Sequence, residues 1–316
     1  MKSKISEPVL VTGANGFIGA NLVRELIDEG YTVDLILRKN SSLWRLHDIL
    51  DKINIHNCDI IDLSLLKQIV NKIGPKTIFH LAAYGAYPFQ DNISRIKSVI
   101  LDGTINLIDA CINHDFDIFI NTGSNSEYGF KTSPMKESDI ICPNSNYAVF
   151  KASATHFCQF KAKSENLPIV TVRPFHIYGP FEESSRLVPQ LISKLLKNKL
   201  PDLVSPDIAR DMLYVEDAVD LFIRIASKKG LGGRIFNMGS GKQSTIRAIV
   251  ETAIKLTKSS VTPKWGLMKP RIWDQNNWVA DMNMVKDYFD WLPRYSLNDG
   301  LNKTINWIKE KEFSIR

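Results

Sequence analysis

Tyr147 and Lys151 stand four residues apart at the head of a segment, Tyr147 to Ser164, whose apolar residues recur at helical spacing. Both side chains therefore fall on one helix face. A phenol titrates near 10 in water, and a neighbouring ammonium favours the phenolate, which makes such a tyrosine a usable acid or base near neutral pH. Taken alone, a Tyr-x-x-x-Lys is most often an ordinary surface pair. Two further segments change that weighting. The run Thr12-Gly13-Ala14-Asn15-Gly16-Phe17-Ile18-Gly19 follows the apolar Pro8-Val9-Leu10-Val11 and opens a helical pattern from Ala20 to Ile27. In that strand-turn-helix setting Gly13 makes the tight turn, Gly16 lets backbone N–H groups approach a pyrophosphate, and Gly19 lets the helix pack closely on the sheet. The helix N-terminus then faces the negative charge. A glycine turn without a ligand is the bland competitor. The second segment, Asn121-Thr122-Gly123-Ser124-Asn125-Ser126-Glu127-Tyr128-Gly129, sets hydroxyls at the end of a strand.

Positioning these residues falls to alternating strands and helices. Apolar strands are expected at Val9 to Thr12, Thr32 to Leu37, Ile53 to Asn57, Thr77 to Leu81, Ile118 to Asn121 and Ile169 to Arg173. Helices fall between them at about Ala20 to Glu29, Leu63 to Lys72, Val99 to Asn113 and Tyr147 to Ser164. This is the βαβ pattern of an α/β fold with a doubly wound parallel sheet, which binds ligands at its strand C-termini. Beyond about residue 175, prolines punctuate shorter elements and tryptophans cluster late, which marks a smaller substrate lobe. The segment Asp211 to Ile225 reads as a strand or turn followed by a helix that returns to the first domain. The expected division is residues 1–174 with about 211–240 for the dinucleotide domain, and 175–210 with 241–316 for the substrate lobe.

The 316 residues, 44% hydrophobic and 23% charged, suit a globular enzyme with a large core. No apolar run approaches the roughly 18 residues of a membrane span, and Met1 to Glu7 holds no apolar signal core, so the expected location is cytoplasmic. The formal charge of +6 is scattered and lacks a basic tract interleaved with aromatics, which argues against nucleic acid. Phosphorylated small substrates explain the excess as well. Cys58, Cys111, Cys142 and Cys158 are widely spaced, which suggests reduced thiols and no metal site.

Together with the glycine loop and the Tyr-Lys pair, the segments HLAA at His80 to Ala83, RPFHIYGP at Arg173 to Pro180 and RDMLYVEDAV at Arg210 to Val219 identify a resemblance. The chain resembles, over nearly its whole length, the extended short-chain dehydrogenase/reductases that act on nucleotide sugars. The resemblance implies a Rossmann-type domain with a C-terminal substrate-binding lobe. It implies that Ser124 hydrogen-bonds the reacting sugar oxygen, with Ser126 the weaker candidate. Tyr147 would be the acid/base, and Lys151 would lower its pKa and hold the nicotinamide ribose. Cofactor contacts are implied for Gly13, Asn15, Gly16, Phe17, Ile18 and Gly19, for Asp59 and Ile60 beside adenine, for Leu81, Ala82, Ala83 and Thr122, and for Pro174 and Phe175 next to nicotinamide. Substrate contacts are implied for Tyr84, His176, Leu187 and Val188, and for Arg210 and Arg271 on the pyrophosphate, where planar guanidinium groups suit phosphate oxygens.

An NAD site usually has a carboxylate at the end of the second strand to take the ribose 2′-OH. Here Leu37 is followed by Arg38, Lys39, Ser41 and Ser42, a cluster suited to the extra phosphate of NADP, while Asp34 lies inside the strand. NADP(H) is the expected cofactor, with NAD(H) the alternative. Family dehydratases carry an Asp-Glu pair after the catalytic Thr, where this chain has Asn125 and Ser126, so dehydration is not expected. An NADPH-dependent 4-ketoreductase is the favoured reading, and an NAD-dependent 4-epimerase is the alternative. His176, and the residues around Ala83-Tyr84-Gly85, resemble the CDP-abequose and CDP-paratose synthases, which reduce a 4-keto-6-deoxy sugar. A non-catalytic dinucleotide sensor is disfavoured by the joint presence of Ser124, Tyr147 and Lys151. The apolar excess of Val99 to Asn113 and Tyr147 to Ser164 suggests a homodimer through paired helices, as in relatives of this kind.

Overall fold

The computed structural model describes residues 4–87, 89–268 and 277–314. In chain order the elements are β1 Val9–Thr12, α1 Phe17–Asp28, β2 Val33–Leu37, β3 Ile53–Asn57, α2 Leu63–Ile73, β4 Thr77–His80, α3 Ile93–Lys97, α4 Gly103–Cys111, β5 Ile118–Thr122, α5 Asn146–Ser164 and β6 Ile169–Pro174. They continue with β7 His176–Tyr178, α6 Leu187–Leu195, β8 Ala209–Tyr214, α7 Val215–Ala226, β9 Ile235–Met238, β10 Gln243–Thr245, α8 Ile246–Thr257, α9 Asn283–Phe289 and α10 Leu297–Ser314. Short 3-10 turns occupy His47–Lys52 and Asn125–Tyr128.

The chain divides into two compact units. The first comprises Met1–Gly129, Ile140–Pro174 and Val219–Phe236, and the second Phe130–Asp139, Phe175–Ala218 and Asn237–Arg316. Residues 130–139, 211–218 and 237–240, which the sequence groups with the dinucleotide domain, lie in the second unit. They include the end of β8, whose hydrogen bonds run to β7 and β10.

A seven-stranded sheet with the order β3-β2-β1-β4-β5-β6-β9 organises the first unit. β1 pairs in parallel with both β2 and β4, so the strand order reverses direction at β1, the point where a doubly wound sheet opens its ligand crevice. The central strands are buried along their whole length and are mostly apolar, with Asp34 in β2 and Asn121 in β5 among the buried polar exceptions. Their core continues into Leu66 and Val70 of α2, Leu107 and Ile108 of α4 and Cys158 of α5. Caps set the helix starts: the Asp62 carboxylate accepts from Leu65 N at 3.0 Å, and Ser145 Oγ accepts from Ala148 N at 3.2 Å.

The continuous helix expected over Val99 to Asn113 is instead divided. α3 passes into a π-type turn at Ser98–Asp102 before α4 begins at Gly103. Gly103 packs against Ile60, where a Cβ would lie 2.5 Å from Ile60 Cδ1. Thr104 Oγ1 also bonds back to Ile100 O at 2.6 Å, within the widened turn. Of the apolar residues that suggest a dimer face, Ile100, Leu107 and Ile108 are buried within the chain, while Phe160 is 60% exposed.

In the second unit, β8 runs between β7, parallel, and β10, antiparallel. α6, α8 and α10 pack around this sheet through residues such as Leu191, Ile249 and Ile305. No described helix is long and apolar enough to cross a membrane. All four cysteines are free, and the described residues contain no group of three or more His, Cys, Asp or Glu arranged to hold a metal.

Candidate active site

The glycine loop leaves the C-terminal end of β1. Gly13 has φ +72°, and a Cβ there would stand 2.5 Å from Leu81 C and Ala82 N. Only glycine permits that backbone approach. Gly16 N donates to Gly13 O at 3.0 Å, and a Cβ on Gly19 would meet Gly13 O at 2.4 Å, which fixes α1 against the loop. Gly16 is also the N-cap of α1, with no side chain capping it and no acidic residue in the first turn. The first N–H groups of the helix are thus left for an anion. These are the features a dinucleotide pyrophosphate needs, and the residues present fit one.

The neighbouring end of β4 is fixed by a directed chain of hydrogen bonds. Thr104 Oγ1 donates to Ile100 O, so it accepts from His80 Nε2 at 2.9 Å; His80 Nδ1 then accepts from Thr12 Oγ1 at 2.7 Å, and Thr12 Oγ1 accepts from Ala82 N at 3.3 Å. Burial, reinforced by the Lys151 charge, pulls the His80 pKa down to about 3, so the ring is neutral and this single tautomer holds. The Leu81–Ala82 backbone is thereby pinned beside Gly13.

Beyond β2, Arg38 and Lys39 are exposed, and Arg38 O accepts from Ser41 N in a turn. Asp34 is buried and accepts from His56 Nε2 at 2.7 Å. Arg45, which sequence reasoning passed over, is buried, donates from Nη1 to Asn15 O at 3.3 Å and lies 4.3 Å over the Trp44 ring. Asn15 in turn donates from Nδ2 to Ser42 O at 3.3 Å, so the loop after β2 is tied to the glycine loop. Asp59 Oδ1 accepts from Ile61 N, and Ile60 is buried with its carbonyl accepting from Asn106.

The hydroxyl and amine chemistry gathers between β5 and α5. Lys151 is buried, and its Nζ donates to Thr122 O at 2.6 Å and lies 5.9 Å from the Tyr147 ring centroid. Burial pulls the Lys151 ammonium down to about 8, opposed chiefly by the charge of Glu127. Tyr147 is half-buried and packs with Tyr84 against Ile96, Ile100 and Ala154. Ser124 Oγ lies 2.8 Å from Ser126 Oγ and accepts from Ser126 N at 3.1 Å. Glu127 follows Asn125 and Ser126, one place beyond the positions of the dehydratase carboxylates. In the fold it is fully buried, accepts from Ser124 N at 2.8 Å and Thr155 Oγ1 at 3.1 Å, and pairs with Arg173 Nε at 2.9 Å. Arg173 also lies 4.5 Å over the Tyr128 ring. Pro174 ends β6 in this unit.

The second unit carries the remaining expected residues. Phe175 is buried and its N–H bonds to Met238 O at 2.8 Å. His176 has its Nε2 buried without a hydrogen-bond partner, and burial, with Arg210 and Arg186 nearby, pulls its pKa down to about 3. Glu182, absent from the sequence reading, is buried with Oε2 unpartnered, and burial pushes its carboxyl up to about 8 against the opposing pull of Arg186. Arg210 donates from Nη1 to Ala209 O and lies 6.0 Å from the Trp278 ring centroid. Val188 belongs to the core of this unit and Leu187 packs against it, which leaves mainly backbone there for a ligand. Arg271 lies outside the described residues.

The family model described as "NAD dependent epimerase/dehydratase family" matches residues 9–239. The chain is 28% identical to the UDP-N-acetyl-alpha-D-glucosaminuronate decarboxylase of Bacillus cytotoxicus, covering 96% of this chain and 98% of that one. It is 26% identical to the dTDP-4-dehydro-6-deoxyglucose reductase of Escherichia coli, with the same coverage, 96% and 98%. Among solved structures it resembles the UDP-N-acetylglucosamine 4-epimerase from Methanobrevibacter ruminantium M1 in complex with UDP-N-acetylmuramic acid, with a TM-score of 0.88 and 26% identity over 98% of this chain and 100% of that one.

Proposed function

The chain belongs to the NAD dependent epimerase/dehydratase family, and from that premise we propose that it is an NADPH-dependent reductase of a nucleoside-diphosphate 4-keto-6-deoxyhexose. The observation that carries the choice is the end of β2. Its one carboxylate, Asp34, is buried and held by His56, and the positions past the strand offer the exposed cations Arg38 and Lys39. Cations there favour a 2′-phosphate, and no carboxylate stands at the strand end for a ribose 2′-OH.

A bound nicotinamide supplies the hydride that this chemistry needs. The chain's own residues supply the rest. Ser124 and Tyr147 hydrogen-bond the sugar C4 oxygen, and Tyr147 gives it a proton as the carbonyl becomes an alcohol. Lys151, held at Thr122 O, lies near the Tyr147 ring, where its charge favours the phenolate left behind. Asn125 and Ser126 offer no carboxylate for water elimination, and Glu127 is occupied by Arg173, which argues against a dehydratase. Arg210, His176 and the backbone at Leu187 and Val188 are the residues proposed for the nucleotide part of the substrate, to which the sequence adds Arg271. The competing reading, an NAD-dependent 4-epimerase, draws on the epimerases among its relatives. The exposed Phe160 on α5 supports a homodimer, for which light scattering should give twice the monomer mass.

The test is to purify the protein without added cofactor, denature it and identify any released dinucleotide, then titrate with NADPH and NADH. Much tighter binding of NADPH, followed by its oxidation on adding a 4-keto-6-deoxy nucleotide sugar, is the expected result. Tightly retained NAD(H) that resists exchange would replace this reading with the epimerase.

A further inference from the structure

Glu127 stands directly behind the Ser124 backbone. A Cβ on Gly123 would lie 2.5 Å from Glu127 Oε1, so the glycine makes room for the carboxylate under the Ser124 backbone. Oε1 accepts from Ser124 N and Thr155 Oγ1, and Oε2 accepts from Arg173 Nε. Ser124 Oγ simultaneously accepts from Ser126 N, completing a reciprocal cap of the 3-10 turn. Every oxygen of the carboxylate is engaged, and Arg173 is itself 2% exposed.

We propose that Glu127 is a positioning residue for the Ser124–Tyr147–Lys151 site: its carboxylate fixes the Ser124 backbone, is anchored by Arg173, and supplies the negative charge that keeps buried Lys151 an ammonium. The catalytic part of this role rests on the reading under Proposed function. The groups acting on Lys151 are Glu127 from the 3-10 turn, Cys158 from its own helix and His80 from β4, with Tyr147 one turn away. His80 is neutral and burial raises the Cys158 thiol, so both are uncharged at neutral pH. Glu127 is therefore the anion of this set. The surrounding charges facing Glu127 are Arg173 from β6 and Lys151 from α5. Removing the carboxylate leaves Lys151 with its burial and no counter-charge, which favours the neutral amine.

The experiment follows the side-chain resonance of Lys151 in lysine-labelled protein against pH, assigned by its absence in Lys151→Met. Native Lys151 is expected to titrate near 8. In Glu127→Gln the midpoint should fall by about one pH unit or more, and the alkaline limb of the pH profile of kcat/KM should fall with it. Glu127→Asp should restore the midpoint by restoring the charge. Because Glu127→Gln leaves Arg173 buried without its counter-charge, it can fail to fold; the double variant Glu127→Gln with Arg173→Gln removes the anion and its paired cation together, and its midpoint is expected to lie between those of the native chain and Glu127→Gln. A native midpoint at 10 or above, or an unchanged midpoint in a folded variant, overturns the proposal. A chain inactive on every nucleotide sugar whose Lys151 midpoint still follows Glu127 removes the enzymatic reading and supports the electrostatic role.

Discussion

Glu182 allows a prediction that depends on no assumption about substrate. The side chain is 7% exposed, Oε2 has no partner, and burial pushes the carboxyl from 4.5 up to about 8. The folded chain thus holds a proton at pH 7 that the unfolded chain has released. Stability changes with pH in proportion to the protons bound by the unfolded state minus those bound by the folded one, a negative difference between 4.5 and 8, so this group makes the fold weaker as pH rises. At about 1.4 kcal/mol for each pH unit, the interval from 4.5 to 7 costs on the order of 3 kcal/mol. Glu182→Gln keeps the shape of the protonated acid and removes the titration. In urea denaturation followed by circular dichroism, the variant should exceed the native protein by about 3 kcal/mol at pH 7 and converge with it below pH 5. A difference that stays constant from pH 5 to 8 would refute the reasoning, because Glu182 would then be ionised in the fold as it is in the unfolded chain.

Tyr147→Phe should lower turnover by about 10²- to 10⁴-fold while NADPH still binds, as read by nucleotide fluorescence; unimpaired turnover would remove Tyr147 from the chemistry. Arg38→Ser should weaken NADPH by roughly tenfold, the effect of losing one charge-assisted phosphate contact of about 1.5 kcal/mol, and leave NADH unchanged; an equal loss for both would place Arg38 away from the 2′ position. Gly19→Ala sets a Cβ 2.4 Å from Gly13 O, so the loop must shift. Calorimetry should then show dinucleotide affinity lost while far-UV circular dichroism is retained, and undiminished affinity would separate the loop from the cofactor.

The glycine loop and the strands around it were legible because their residue types answer to backbone geometry: Gly13 at positive φ and Gly19 against Gly13 O admit no side chain. The Tyr147–Lys151 pair was legible because helical spacing alone brings the two side chains to one face. Glu127 was missed although the sequence carries its signal, since Ser124-Asn125-Ser126-Glu127 has the S-x-x-E spacing of a capping box, which the structure forms. Arg45 and Glu182 had no such signal, because their burial depends on packing that no local spacing records.

The carboxylates of the first unit show why partners, more than residue types, decide the chemistry. Asp34 sits near the cofactor loop in sequence and Glu127 sits three residues from Ser124, so either could be read as functional acid or base. Each is instead committed by a short hydrogen bond, Asp34 from His56 at 2.7 Å and Glu127 from Arg173 at 2.9 Å, in surroundings where breaking the pair would leave a buried charge. With both tied up in this way, the proposed acid/base is Tyr147, whose ring centroid lies 5.9 Å from Lys151 Nζ, and Arg38 stands exposed past β2. A ketoreductase needs those two features, one proton donor at the sugar oxygen and a cationic ribose end, and a dehydratase needs the free carboxylates that this fold has tied down.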